Sequence, residues 1–213
     1  MKFPLVIFDW DGTLMDSVGR IVSSMQHTAA QLQLPEPSVS AVREIIGISL
    51  EPAIEQLFGQ LAPQTMADFL DCYREQYVYN DTTPSPLFSG AQSMLDDLYQ
   101  RGYTLAVATG KARHGLERVW QDSQVRHLFH TSRCADETAS KPNPRMLHEI
   151  LNETGYDVSQ AIMVGDSVHD MRMAENAGMA RIAVGFGAHA AERLAKHQPL
   201  AVIHELSALP DYL

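Results

Sequence analysis

The sequence predicts an α/β protein: a parallel sheet with helices on both faces, interrupted near its start by an all-helical insertion. Three observations carry this. The apolar run Leu5-Val6-Ile7-Phe8, bounded by Pro4 and Asp9, reads as a strand buried on both faces. From about residue 16 to 80 the only periodicity is helical. Beyond the turn-rich linker Asp81-Thr-Thr-Pro-Ser-Pro86, strands and helices alternate, which implies parallel pairing with both faces covered. The isolated first strand needs neighbours, so it joins the later sheet. The expected architecture is a discontinuous Rossmann-like core, residues 1–15 and 85–213, carrying a helical cap over residues 16–84.

Each element has its own signal. Asp16 or Ser17 can cap the first cap helix, whose stripe Val18, Ile21, Val22, Met25, Ala29 and Leu32 ends before Pro35 and Pro37. A second helix carries Val42, Ile45 and Ile46 before Gly47, and a third carries Ile54, Leu57 and Phe58 before Gly59. A fourth presents Met66, Phe69, Leu70, Tyr73 and Tyr77 on one face. In the core, helices are expected over 92–101, 111–121, 143–153 and 168–177. Strands are expected over 104–108, 161–164 and 180–184, with Gly185-Phe-Gly187 as a strand-ending turn.

The bulk properties exclude some functions. A formal charge of −10 argues against general nucleic-acid binding, which needs concentrated Lys and Arg. An anionic substrate would then require local positive charge within the site. Cys72 and Cys134 form no CxxC pair or disulfide framework and read as reduced thiols of a cytoplasmic protein. The run Leu5–Phe8 is too short for a signal-peptide core, and no stretch has the length of a membrane span.

Chemistry-bearing residues follow the predicted strands. The first ends in Asp9-Trp10-Asp11-Gly12-Thr13, the second in Thr109-Gly110-Lys111, and the third in Gly165-Asp166-Ser167-Val168-His169-Asp170. Ligands of open α/β sheets bind at those carboxyl ends. Lys141, just before a helix, can approach the same edge. Two carboxylates about 4 Å apart repel by roughly 4 kcal/mol at an effective dielectric near 20, so four together demand a cation. An all-oxygen set suits Mg²⁺ better than zinc.

Within such a cluster Asp9 can attack phosphorus and form an acyl-phosphate. Asp11 can protonate the departing alcohol and then deprotonate water. Gly12 lets the chain turn and bring amides toward phosphate oxygens. Thr109 offers a hydroxyl, Gly110 an unhindered amide, and Lys141 a charge for the phosphoryl group. Taken singly, each has a structural reading: DxD as a turn, Asp166 and Asp170 as helix-start charges, Lys141 as a solvated lysine. Their joint order and placement favour chemistry.

These segments together resemble the four motifs of the haloacid dehalogenase-like hydrolase superfamily: Asp9-Trp-Asp-Gly-Thr, Val107-Ala-Thr109-Gly-Lys, Lys141-Pro-Asn-Pro, and Gly165-Asp-Ser-Val-His-Asp170. The inserted helices resemble the cap of its phosphoglycolate phosphatase-like branch. The resemblance implies Asp9 as nucleophile and Asp11 as general acid/base, with phosphate held by Thr109 and Lys141. It implies Mg²⁺ on Asp9, the backbone carbonyl of Asp11, and Asp166, with Asp170 helping directly or through water. His169 falls in the fourth motif without an expected function and reads as a helix-surface residue. The cap loop Gly47-Ile48-Ser49 is expected over the site, contributing to substrate choice.

Departures narrow the family reading. Asp11 argues against dehalogenation, which has no leaving alcohol to protonate. The cap contains no lysine of the kind used by phosphonate-cleaving relatives. Sugar phosphomutases resemble the chain around Gly47-Ile48-Ser49, but there an arginine usually follows the serine, and here Leu50 does. Hydrolysis of a small phosphorylated metabolite, by a monomer or homodimer, is the expected activity. Phosphoglycolate, a sugar phosphate, a nucleoside monophosphate and pyrophosphate all stay open as substrates. A phospho-aspartate signalling module is the alternative from another class. Such modules lack the insertion and the pairing of DxD with GDxxxD.

Overall fold

The computed structural model describes residues 2–213. Strand β1 (Leu5–Phe8) leads into four cap helices, α1 (Val18–Gln31), α2 (Val39–Ile45), α3 (Leu50–Phe58) and α4 (Pro63–Glu75). The last runs on as a π-helical turn, Gln76–Asn80. The core resumes with α5 (Ala91–Gln100), β2 (Thr104–Thr109), α6 (Arg113–Ser123), β3 (Thr131–Cys134) and α7 (Arg145–Thr154). It finishes with β4 (Ala161–Gly165), α8 (Val168–Asn176), β5 (Ala180–Val184), α9 (Ala191–Ala195) and β6 (Val202–Ile203).

All pairings are parallel, in the order β3-β2-β1-β4-β5-β6. β1 is central: Phe8 lies opposite Val107 on one side and Val164 on the other. Its apolar run divides between the faces. Leu5 and Ile7 pack with Met146, Leu147 and Ile150 of α7, while Val6 and Phe8 pack with Met94, Leu95 and Leu98 of α5. The strand order reverses between β1 and β4, and that switch point is where such sheets hold ligands.

The insertion has its own apolar centre. Ile21, Val22 and Met25 of α1 meet Val42 and Ile45 of α2, Ile54 of α3 and Phe69 of α4. Its two connections to the core run side by side: the Asp16 amide donates to Pro86 O at 2.8 Å and the Phe88 amide to Leu14 O at 2.9 Å. Arg20 then clamps the returning chain through the carbonyls of Thr83 and Asp81.

Three elements went unread in the sequence: β3, β6 and α9 are short and carry weak patterns. Two core helices start later than expected, at Arg113 and Arg145. For α7 the reason is local, since Asn143 and Pro144 form the entry turn and the Asn143 side chain accepts from the Arg145 amide. Ser17 does precede α1, but its hydroxyl is diverted from capping and donates to Asp11 Oδ1 at 2.7 Å.

Candidate active site

The strand ends bring the expected residues together. Asp9 follows β1, its amide bonded to Val164 O of β4 at 2.9 Å. Trp10 turns down into the core against Trp120 and Phe129. Asp9 and Asp11, on either side of it, both face the cavity between core and cap. The alternation of an extended chain therefore delivers both carboxylates to one side and an anchor to the other.

Asp9, Asp166 and Asp170 can each present an oxygen within 4.8 Å of the others, and all three are buried. Lys141 Nζ, also buried, lies 2.8 Å from Asp9 Oδ1 and 2.6 Å from Asp170 Oδ1. One ammonium thus pairs with two carboxylates, with the third, Asp166, close to them. Burial raises the Asp9 carboxyl well above the usual range; Lys141 opposes this, while Asp170 and Asp166 add to it. Asp166 is pushed up to about 7 by burial and by Asp170, against hydrogen bonds from Ala188 and Thr13. Burial pulls Lys141 down, but Asp170 and Asp9 outweigh it and hold the ammonium above its ordinary value.

The carboxylates are not equally committed. Asp170 Oδ2 accepts from the Ser167 amide and hydroxyl, closing a capping box at the start of α8, and Oδ1 takes Lys141. Asp166 accepts Thr13 Oγ1 at 2.8 Å and the Ala188 amide at 2.6 Å. Neither buried oxygen of Asp9 has an aligned hydrogen-bond donor, the Lys141 contact being an ion pair without hydrogen-bonding angles. Buried carboxylate oxygens left this way call for a cation. The all-oxygen donor set fits a hard divalent ion. The Asp11 carboxylate lies outside this group, which suits an involvement through its backbone carbonyl.

Asp11 instead sits in a separate pair. Its Oδ1 accepts from Ser17 and its Oδ2 lies 3.0 Å from Lys111 Nζ. Burial would lower Lys111, but Asp11 and Tyr77 outweigh it and hold it protonated. Lys111, inside a quoted segment, had no expected role, and Ser17 only that of a helix cap. A question about what balances Asp11 would have pointed to Lys111, two residues past the end of a neighbouring strand.

Some expectations change. The Gly12 amide donates to Met15 O at 2.8 Å and so is already used within the turn, not presented to phosphate. Gly12 is needed for another reason: with φ of +80°, a Cβ there would come within 2.2 Å of Asp166 Oδ2. Gly187, in the strand-ending turn, faces the same carboxylate, so two backbones close on Asp166. At Gly110 a Cβ would meet Gly47 O at 2.6 Å and Ile48 O at 2.7 Å. Its bareness admits the cap loop. Thr109 Oγ1 accepts from the Lys111 amide at 3.2 Å, leaving its proton free to be donated.

Gly47, Ile48 and Ser49 do lie over the site and line the cavity with Asp9, Asp11 and Thr109. Docking contacts surround them. Arg43 donates to Gly187 O and Ala188 O, the Ser49 amide to Ser140 Oγ at 2.9 Å, and Arg193 pairs with Glu44. His169, read as a surface residue, is half-buried and bonds Glu44 O through Nε2 at 3.0 Å. Its position in the first turn of α8 aims it at the cap.

The family of haloacid dehalogenase-like hydrolases, as a sequence model, matches residues 6–184. The chain belongs to that family. It is 33% identical over 210 residues to "Probable phosphatase IndB" of Dickeya dadantii, covering 96% of this chain and 90% of that protein. It is 31% identical to a phosphoglycolate phosphatase of Agrobacterium fabrum, over 99% of this chain and 92% of that one. The fold matches a solved haloacid dehalogenase-like hydrolase of Streptococcus pneumoniae with a TM-score of 0.83, at 24% identity, over 99% and 98% of the two chains. Among the described residues no helix is long and apolar enough to cross a membrane.

Proposed function

We propose that the protein is a Mg²⁺-dependent phosphatase that hydrolyses a small phosphate monoester through an aspartyl-phosphate on Asp9. The observation that carries this is the buried carboxylate of Asp9, ion-paired with Lys141 and crowded by two further carboxylates. The names borne by its relatives point the same way. Asp9, Asp166 and the Asp11 carbonyl would hold the ion, with Asp170 acting mainly on Lys141. When bound, Mg²⁺ supplies positive charge that lets an anionic ester approach and steadies the transferring group.

The protein's own groups carry the reaction in two displacements. An Asp9 oxygen bonds to phosphorus as the ester P–O bond breaks, and Asp11 gives its proton to the departing alkoxide. Water then attacks phosphorus while Asp11 takes a proton from it. The bond from phosphorus to Asp9 breaks, releasing inorganic phosphate and restoring both carboxyl groups. Lys141 holds negative charge on Asp9 and the phosphoryl oxygens, and the Thr109 hydroxyl donates to one of them. Lys111 and Ser17 orient Asp11. The cap over residues 16–84, closed by the Gly47–Ser49 loop, would exclude water during the first step and admit it for the second.

The working form on this reading is a cytoplasmic monomer or homodimer. The test is phosphate release from a panel of esters by wild type and Asp9→Asn, with and without Mg²⁺. Metal-dependent release by wild type alone is the expected result. Equal release by Asp9→Asn would sink the covalent mechanism. A phosphoryl-enzyme persisting without turnover would favour the signalling reading.

A further inference from the structure

The geometry points to a substrate whose organic part is a ring-bearing, largely uncharged group with hydrogen-bond acceptors, held in the chamber between cap and core. This rests on the phosphatase reading and names its substrate class. The chamber has a volume of about 650 Å³. That falls in the range of roughly 300–1,000 Å³ found for pockets that enclose drug-sized ligands, and a two-carbon acid would leave most of it empty. Asp9, Asp11 and Thr109 lie at the core side, while Ile21, Met25, Ile45, Leu70 and Tyr73 make an apolar wall from the cap.

Two buried donor atoms in the same lining make no aligned hydrogen bond within the protein. The Tyr77 hydroxyl, on a residue 7% exposed and beside the Lys111 ammonium, takes no aligned hydrogen bond, and neither does Arg118 Nε, the buried atom of a side chain 30% exposed. The Arg118 guanidinium lies 5.7 Å from the centroid of the Tyr77 ring, so the two groups form one patch. Buried polar groups are normally satisfied, and an acceptor on the ligand would satisfy both. Tyr77 belongs to the π-helical turn, a distortion frequent at functional sites. Tyr79, on the same turn, lines the chamber while 81% exposed, placing an aromatic face at its mouth.

The charges favour an uncharged group over a small acid. Every lysine and arginine lining the chamber already has a carboxylate: Lys111 has Asp11, Arg74 has Asp71, and Arg118 has Asp122 at 3.6 Å. A substrate carboxylate would meet no unpaired cation there and would sit near the Asp11–Lys111 pair at a desolvation cost. A planar ring with carbonyl acceptors meets apolar walls, an aromatic surface and two waiting donors.

Three esters separate the alternatives: thymidine 5′-monophosphate (ring with acceptors), phenyl phosphate (ring without them) and phosphoglycolate (small acid). For wild type, kcat/KM is expected to fall in that order, by at least about tenfold from first to last, the value of a hydrogen bond and its packing. Tyr77→Phe and Arg118→Met should each shrink the ratio of thymidine ester to phenyl ester, mainly through KM. The inference is overturned if phosphoglycolate equals or outruns both ring esters, or if neither variant moves the ratio. Should no ester release phosphate, the hydrolase reading fails. Calorimetric binding of the same three esters to Asp9→Asn then decides the chamber's preference: tighter ring esters uphold it, and equal or weaker ones overturn it.

Discussion

At the residue scale, two carboxylates two positions apart have been given different surroundings. Asp9 is buried among charges with Lys141 as its ion-pair partner, while Asp11 is held by Ser17 and Lys111. An acid that protonates the leaving group matters most when that group leaves poorly. Asp11→Asn is therefore expected to lower kcat for an alkyl phosphate by about 10²–10⁴-fold, and for 4-nitrophenyl phosphate by much less. Equal losses on both esters would remove Asp11 from that position. His189 gives a stability prediction. Burial first, then the Arg193 charge, pulls it down from 6.5 to about 4, against Glu44. Between those values the unfolded chain binds a proton that the folded chain does not, so stability declines as pH falls from 6.5 toward 4. The urea midpoint of wild type should drop more steeply over that window than that of His189→Gln; parallel curves would contradict this.

At the element scale the cap loop and β2 are fitted to each other. The Gly47 and Ile48 carbonyls lie where a side chain on Gly110 would be. Gly110→Ala should hold the loop away, lowering kcat/KM by about tenfold or more, as misplacement by an ångström does, while leaving the melting temperature of the core nearly unchanged. Normal turnover in that variant would show that loop docking is dispensable. This fit was not legible in the sequence, where Gly110 read as a phosphate contact, because it depends on a segment more than sixty positions earlier folding over it. What was legible were features with local causes: the apolar β1, the helical stripes of the cap, and the carboxylates placed at strand ends. β3 escaped because Thr-Ser-Arg-Cys has little apolar signal, its Arg133 being tied to Glu149 and Glu153 of α7. β6 pairs through only two residues. Lys111 and His169 were visible as residues but not as partners, since Asp11 and Glu44 reach them only through the fold.

For the whole molecule, the parallel sheet collects buried negative charge at its switch point, and Lys141 offsets only part of it. A divalent cation that binds the folded chain and not the unfolded one stabilises it by mass action. Mg²⁺ at a hundredfold excess over its Kd should raise the melting temperature by about 5–10 °C over the chelated protein. Asp166→Asn should blunt that response. Identical melting with Mg²⁺ and with chelator would argue against an ion among these carboxylates. The same sheet separates scaffold from chemistry: the apolar clusters on its faces hold the strands, and their polar exits are free to vary in partner without disturbing what lies below.

Trp10 has a practical consequence beyond anchoring the turn. The chain has two tryptophans, and they touch: Trp10 and Trp120 have ring centroids 6.3 Å apart, with Phe129 stacked on Trp120. All the indole fluorescence of the protein therefore originates directly beneath the nucleophile. Formation and loss of the phosphoryl group on Asp9 would be followed in real time by stopped-flow emission, with no dye, label or engineered reporter.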